Sequence, residues 1–347
     1  MHIEGGTKLD YPDVLIKPKR SPLSSRSDVD MTRTFKFPHT GKTWTGVPII
    51  AANMDGVGTF SMAEVLQQHQ MMTVLRKHYT VQDWYQYANI LDWNYTVACT
   101  GTNAIFDDDA ADYKLLKLVC DAFPIQHICI DVANGYQQNF IDFCARIRDE
   151  FPTKTLIAGN VCTPEVVEEL IMNSGVDVVK VGIGPGSACT TRIVTGVGYP
   201  QLSAVAECAD IAHQHNGMIM ADGGCNTSGD VMKAFGAGAD FVMLGGMLAF
   251  HEESEELRDP QGNYTFYGMS SNNAMSRHGA RKDGYRTAEG KAVTMPGRGP
   301  IEGTVDRLLG GIQSGCTYIG AAKLKEVSKR TTFVKVSRTH NRIFGDE

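Results

Sequence analysis

The residues best equipped for chemistry lie together at Lys180-Val181-Gly182-Ile183-Gly184-Pro185-Gly186-Ser187-Ala188-Cys189-Thr190-Thr191-Arg192. An apolar run at 176–181 reads as a buried strand. Three glycines and a proline then turn the backbone sharply and leave N–H and C=O groups free to hold ions or phosphate. The turn delivers one thiol, Cys189, with the Thr190 and Thr191 hydroxyls and the Arg192 guanidinium beside it in sequence. A thiol presented this way is a candidate nucleophile for covalent catalysis. Most free cysteines are small buried hydrophobes, and the chain has nine. Cys189 stands apart because it follows a glycine loop instead of lying in an apolar run. The glycines do not make a dinucleotide fingerprint. Their spacing is G-x-G-x-G, with Ser187 where the third glycine of G-x-G-x-x-G belongs.

The elements that must position this loop follow an alternating pattern. Apolar strand candidates occur at 48–54, 71–77, 95–100, 127–132, 155–159, 176–182, 218–221 and 241–244. Most are continuous apolar runs, as strands buried on both faces should be. Helical periodicity lies between them at 60–69, 113–122, 140–150, 164–173, 200–215 and 229–235, with Asn139, Thr163 and Ser228 as expected caps. Eight strands alternating with helices predict an α/β protein, a (β/α)8 TIM barrel. The first forty residues, with strand candidates at 13–17 and 34–37, are expected to form an N-terminal hairpin cap. A polar, Gly-rich excursion at 251–300 follows strand eight without core-like periodicity and is expected to be a mobile active-site segment. A helix returns at 305–314, and residues 1–347 are expected to form a single barrel domain.

Composition is that of an ordinary globular chain: 347 residues, 42% hydrophobic and 21% charged, with a formal net charge of −6. Nothing global points to nucleic acid or to a membrane surface. No apolar run approaches a membrane span, and no signal peptide is evident at the N-terminus. The cysteines are scattered with no C-x-x-C pair, which argues against a zinc site or a disulfide framework and fits a reducing, cytoplasmic setting. The basic stretch at 323–342 reads as a solvated or subunit-facing tail.

In such a barrel the active site lies at the C-terminal ends of the strands. Asn53, Lys77, Asp131, Asn134, Asn160, the glycine loop, Asp222-Gly223-Gly224 and Gly245-Gly246 all follow predicted strands. The paired glycines after strands seven and eight sit where barrels commonly bind phosphate with backbone N–H groups.

These residues resemble the IMP dehydrogenase/GMP reductase family along nearly the whole chain. The resemblance rests on Asn53-Met54-Asp55, Asp131-Val132-Ala133-Asn134-Gly135, the 182–192 loop, 195–201, Asp222-Gly223-Gly224, 241–247, Tyr267-Gly268-Met269-Ser270 and 285–291. It favours the reductase branch. Only 80–94 fills the gap where dehydrogenases usually insert a regulatory domain pair, and no Arg-Tyr step for water activation occurs at 281–286. The chain departs from the family pattern at Gly56, where Thr is usual, at Ala188, where Val is usual, and at Arg76, where His is usual.

The resemblance implies conversion of GMP with NADPH to IMP, ammonia and NADP+. Cys189 would form a covalent thioimidate at C2 of the purine, with Thr191 and Glu289 as the proton relay. It implies that Ser187, Gly223, Gly224, Gly245 and Gly246 hold the 5′-phosphate and Asp222 the ribose. Gly268, Met269, Ser270, Arg286, Thr287, Ala288 and Gly290 would hold the base. The dinucleotide would meet Lys77, Asp131, Val132, Ala133, Ile183, Gly184, Met269, Tyr285 and Arg286, with Ser25 and Arg26 nearer its far end. Ser314, Gly315, Cys316 and Thr317 would reach a neighbouring subunit's cofactor in a homotetramer. A monovalent cation, K+, would lie at Gly184, Gly186, Cys189 and Arg192. The rival readings are IMP oxidation, a non-catalytic purine-nucleotide sensor, and an aldolase-like barrel using Lys180 or Lys77 as a Schiff base.

Overall fold

The computed structural model describes residues 3–102, 111–278 and 287–337. Eight parallel strands close into a barrel: β1 (Ile49–Ala51), β2 (Met72–Val74), β3 (Thr96–Thr100), β4 (His127–Asp131), β5 (Thr155–Val161), β6 (Val178–Val181), β7 (Met218–Asp222) and β8 (Phe241–Leu244). Spatial order follows chain order, and β8 closes on β1 through Val242 beside Ile49 and Met243 beside Ile50. Successive side chains point to opposite faces. Ile50, Met72, Cys129, Ile157, Met220 and Phe241 therefore pack inside the barrel, while Ile49, Ala51, Ile128 and Val242 pack outward against the helices. Burial on both faces is why these strands read as unbroken apolar runs.

The barrel helices are α1 (Phe60–Leu66), α2 (Val81–Tyr87), α3 (Ala111–Ala122), α4 (Gln138–Glu150), α5 (Pro164–Met172), α6 (Gln201–Gln214), α7 (Ser228–Gly236) and α8 (Glu302–Ile319). Their starts are chemically marked. Thr59 accepts the Met62 N–H, and Thr80 with Asp83 and Thr227 with Asp230 form capping boxes. Thr163 precedes α5 as expected, but Asn139 and Ser228 do not cap; Gln137 and Thr227 hold those positions. The short α2 left no periodic signal, since its one buried residue is Trp84.

The N-terminal cap is a hairpin, though not the one expected. Arg33–Lys36 pairs with Thr43–Gly46, and Phe35, Phe37 and Trp44 join the barrel's interior cluster. The Phe35 ring lies 4.5 Å from that of Phe241, so the hairpin closes the end where the strands begin. Val14–Ile16 instead pairs with Phe333–Lys335. The basic C-terminal stretch is therefore docked through residue 335 rather than free; residues 338–342 lie outside the described residues.

The excursion after β8 carries more structure than its composition suggests. Leu257–Arg258, Tyr264–Tyr267 and Ala292–Met295 form an antiparallel sheet, and Asn272–Arg277 is a helix. Tyr264, Phe266 and Tyr267 are buried. Strands of two to four residues are too short to show a period, and the outer pairing joins segments far apart in sequence. Among the described residues no helix is long and apolar enough to cross a membrane.

Candidate active site

The glycine loop after β6 is packed so closely that two of its glycines are required. Gly182 has φ +151°, and a Cβ there would lie 2.1 Å from the Asp222 carbonyl oxygen. Gly184 has φ +84°, and a Cβ there would lie 2.5 Å from Arg192 Cγ. Arg192 itself braces the loop: it donates to Asp10 Oδ2 at 3.0 Å and to the Tyr199 carbonyl at 2.5 Å. The Cys189 N–H closes a turn onto the Gly186 carbonyl at 3.0 Å.

Beyond that turn Cys189, Thr191 and Glu289 meet. The Cys189 thiol donates to Thr191 Oγ1 at 3.2 Å, and the Thr191 hydroxyl donates to Glu289 Oε2 at 2.8 Å. Ninety-eight residues separate Thr191 from Glu289. What joins them is backbone pairing between the excursion and the loop. The Thr190 N–H donates to the Glu289 carbonyl at 2.9 Å, Lys291 N–H to the Ala188 carbonyl at 2.9 Å, and Glu289 N–H to the Ser270 carbonyl at 3.0 Å. Gly268 and Gly290 permit this three-way contact. A Cβ at Gly268 would lie 2.9 Å from the Ala188 oxygen and 3.2 Å from Gly290 Cα. Gly290 is thus paired with Cys189 and Ser270 with Glu289, with Met269 and Ala288 next to them in the chain and Thr287 exposed at the start of that described segment. Tyr285 and Arg286 lie outside the described residues.

The expected phosphate residues converge from three loops. A Cβ at Gly246 would lie 2.8 Å from Ser187 Oγ, and one at Gly223 would lie 3.0 Å from Pro185 and 3.1 Å from the Gly186 nitrogen. Gly224 faces Pro185 and Tyr11, and Gly245 faces Met54. Gly223 and Gly224 both have positive φ, which turns the chain away immediately after Asp222.

The residues expected on the dinucleotide side form a second polar group. Lys77 Nζ lies 3.4 Å from Asp112 Oδ2, which also accepts the Gly101 N–H at 3.2 Å. Asp131 pairs with Lys180 and accepts from Asn53 Nδ2 at 3.0 Å. Burial alone would raise the Asp131 carboxyl, but the Lys180 ammonium outweighs it and holds the pKa below the ordinary value. Val132 is committed to backbone bonds with Gly159 and Asn160, Ala133 is exposed, and Ile183 is buried. Ser25 and Arg26 sit apart from this group: their turn packs against α8, which carries Ser314, Gly315, Cys316 and Thr317. Among the described residues no hydrogen bond or ion pair links that turn to Lys77. The Cys316 thiol is buried in the core, which pushes its pKa up to about 12.

One feature of the rim was not legible in the sequence. Asp55 accepts from Tyr267 Oη at 2.8 Å and pairs with His278 Nε2 at 2.6 Å, while His278 stacks on His78 with ring centroids 3.5 Å apart. Arg76 donates to the Asp55 carbonyl at 2.7 Å and to Glu255 Oε2 at 2.5 Å; Tyr79 also donates to Glu255. These contacts clamp the first arm of the excursion, 251–278, onto the loops after β1 and β2. Asp55, His78 and His278 could each offer a metal-ligand atom. Their rings, however, are within 12° of parallel, so the imidazole lone pairs do not converge. Burial and the neighbouring His278 and Lys77 push His78 down to about 4, as an electropositive setting should. Positions 55, 78, 255 and 278 share no spacing signal, so only the fold could reveal the clamp.

Gly56 belongs to the same clamp. A Cβ there would lie 2.2 Å from Glu256 Cγ. Glu256 is buried, with Oε2 accepting the Phe250 N–H at 3.1 Å and Oε1 without a partner among the described residues. Burial raises its pKa from 4.5 to about 7. The native state therefore keeps a proton that the unfolded chain loses above about pH 4.5, so stability falls as pH rises from about 4.5 to 7 and levels off beyond. Glu256→Gln should flatten that slope in thermal melts taken across this window; an unchanged slope would remove Glu256 as its source.

A family model described as IMP dehydrogenase / GMP reductase domain matches residues 8–342. A protein called GMP reductase from Vibrio campbellii (strain ATCC BAA-1116) is 54% identical over 353 aligned residues, covering 100% of both chains. Proteins of the same name from Escherichia coli (strain K12 / DH10B) and Escherichia coli O9:H4 (strain HS) are each 55% identical, again over 100% of both chains.

Proposed function

The chain belongs to the IMP dehydrogenase/GMP reductase family, and from that premise we propose that it is a GMP reductase, catalysing GMP + NADPH + H+ → IMP + NH3 + NADP+. The observation that carries the chemistry is the Cys189–Thr191–Glu289 chain, with links of 3.2 and 2.8 Å. The Cys189 sulfur attacks C2 of the purine. The C2–N bond breaks, ammonia leaves with a proton passed along Thr191 and Glu289, and a thioimidate remains on the enzyme. Splitting the displacement into two steps lowers each barrier. When bound, NADPH supplies the hydride that C2 takes as the C–S bond breaks, which regenerates the thiolate.

The residues present fit both ligands. The cradle between Ser187, Gly223, Gly224, Gly245 and Gly246 would be filled by any added Cβ at Gly246, and it offers backbone N–H groups to the 5′-phosphate. Asp222 takes the ribose hydroxyls, and Gly268, Met269, Ser270 and the 286–290 segment hold the base. Lys77 and the Asp131–Ala133 segment hold the nicotinamide nucleotide, with Ile183, Gly184, Tyr285 and Arg286 around it. Ser25 with Arg26, and Ser314 to Thr317 of a neighbouring subunit, serve the far end. The carbonyls of Gly184, Gly186 and Cys189, with Arg192, suit a K+ ion, which would stiffen the loop that carries the thiol. The 251–300 excursion serves as the lid of this one barrel domain. Nine unpaired cysteines suit a reducing cytoplasm, and the assembly is a homotetramer, checked by light scattering.

The deciding experiment follows the reduced-nicotinamide absorbance in two mixtures. GMP with NADPH should lose absorbance and release ammonia. Gain of absorbance with IMP and NAD+ would make the chain a dehydrogenase; silence in both with GMP bound would make it a sensor.

A further inference from the structure

Lys180 is the one charged residue of β6, and neither the relay nor the ligand cradles use it. It is 1% exposed, and no lysine is taken into a barrel without compensation. Its ammonium pairs with Asp131 on β4 and lies 3.2 Å from Asp222 Oδ2 on β7. Burial would push its pKa down, but the two carboxylates outweigh that and raise it well above the ordinary value. With its ammonium held between two carboxylates inside the barrel, Lys180 is poorly placed to be the Schiff-base lysine of the aldolase reading.

The same two carboxylates are each held a second time. Asn53 donates to Asp131 Oδ2 at 3.0 Å, and Asn160 donates to Asp222 Oδ2 at 2.9 Å and to the Gly182 carbonyl at 2.8 Å. Room for this is made at Gly159, where a Cβ would lie 2.6 Å from Lys180 Cβ. Each carboxylate keeps some exposure, 30% for Asp131 and 21% for Asp222, so each still has a face toward a ligand. On the functional reading above, Asp131 serves the dinucleotide and Asp222 the substrate ribose.

We propose that Lys180 is a positioning residue that couples the two subsites, because one buried ammonium sets the orientation and charge of both ligand carboxylates. An acceptor that shares its counter-charge is a stronger hydrogen-bond acceptor than one that holds it alone. Changing one carboxylate therefore changes the other through Lys180, and the coupling is reciprocal between the two ligands.

The test measures the dissociation constants of GMP and NADPH separately, each by fluorescence titration, for wild type, Lys180→Met, Lys180→Arg and Asp222→Asn. Lys180→Met should weaken both ligands at least about tenfold, and Lys180→Arg should recover most of each, since it keeps the charge. Asp222→Asn leaves the dinucleotide residues untouched, yet it should weaken NADPH about fivefold, because Asp131 then holds the ammonium alone. That variant decides the matter if Lys180→Met does not fold. Loss of melting temperature with both constants unchanged within twofold would reduce Lys180 to a core ion pair and overturn the proposal. So would an Asp222→Asn effect confined to GMP. Failure of the wild-type chain to bind GMP would instead count against the functional reading.

Discussion

Cys189→Ala should lower turnover of GMP by at least about a thousandfold while leaving its affinity within a few-fold. Loss of an enzyme's covalent nucleophile typically costs several orders of magnitude, since what remains is binding and polarisation alone. Affinity should survive because the cradle is built from other residues. Gly246 meets Ser187, Gly223 meets Pro185 and Gly186, and the loop is braced by Arg192 on Asp10, none of which involves the thiol. The side chain is also not a packing element of the core: Cys189 is partly exposed, unlike buried Cys129, Cys144 or Cys208. Measurement of kcat alongside a GMP titration separates the two effects. Residual activity within tenfold of wild type would end the covalent scheme, whatever the family.

Thr191→Val and Glu289→Gln should each lower kcat by about 10²–10⁴-fold, the range for a general acid–base group. The two should not add. Thr191 bridges the thiol and the carboxylate, so either change breaks the same proton path, and the double variant should be little worse than the poorer single one. Valine keeps the size of threonine, and glutamine keeps the shape of glutamate, so the backbone pairing of Thr190 with Glu289 persists in both. GMP affinity should therefore stay near wild type. Single effects below tenfold, or full additivity, would mean that the hydroxyl merely braces the loop.

The sequence alone determined the barrel, because burial on both faces leaves continuous apolar runs and the helices between them keep their own period. It also determined the chemical identity of the loop. Gly182, Gly184 and Gly186 mark a sharp turn of the backbone, and Cys189, Thr191 and Arg192 follow within a few residues. It misplaced the N-terminal pairing, since Leu15 and Phe35 both lie in short strand-like stretches and nothing local says which partner each will take. Partner choice in a sheet is a long-range matter, fixed by what the barrel end and the C-terminal segment leave open.

Only the tertiary structure brought Glu289 to Thr191, and only it revealed Asp55 with Tyr267 and His278, or Glu256 over Gly56. Lys180 shows the division most clearly. In the sequence it is one charged residue in an apolar strand, open to being read as a nucleophile. In the fold, strands four and seven bring a carboxylate to it from either side, and the charge becomes a fixed part of the site. Residue types and local spacing set what groups a chain can present. Which groups face one another is set by closure of the barrel, because that closure places residues from distant strand ends within a few ångströms.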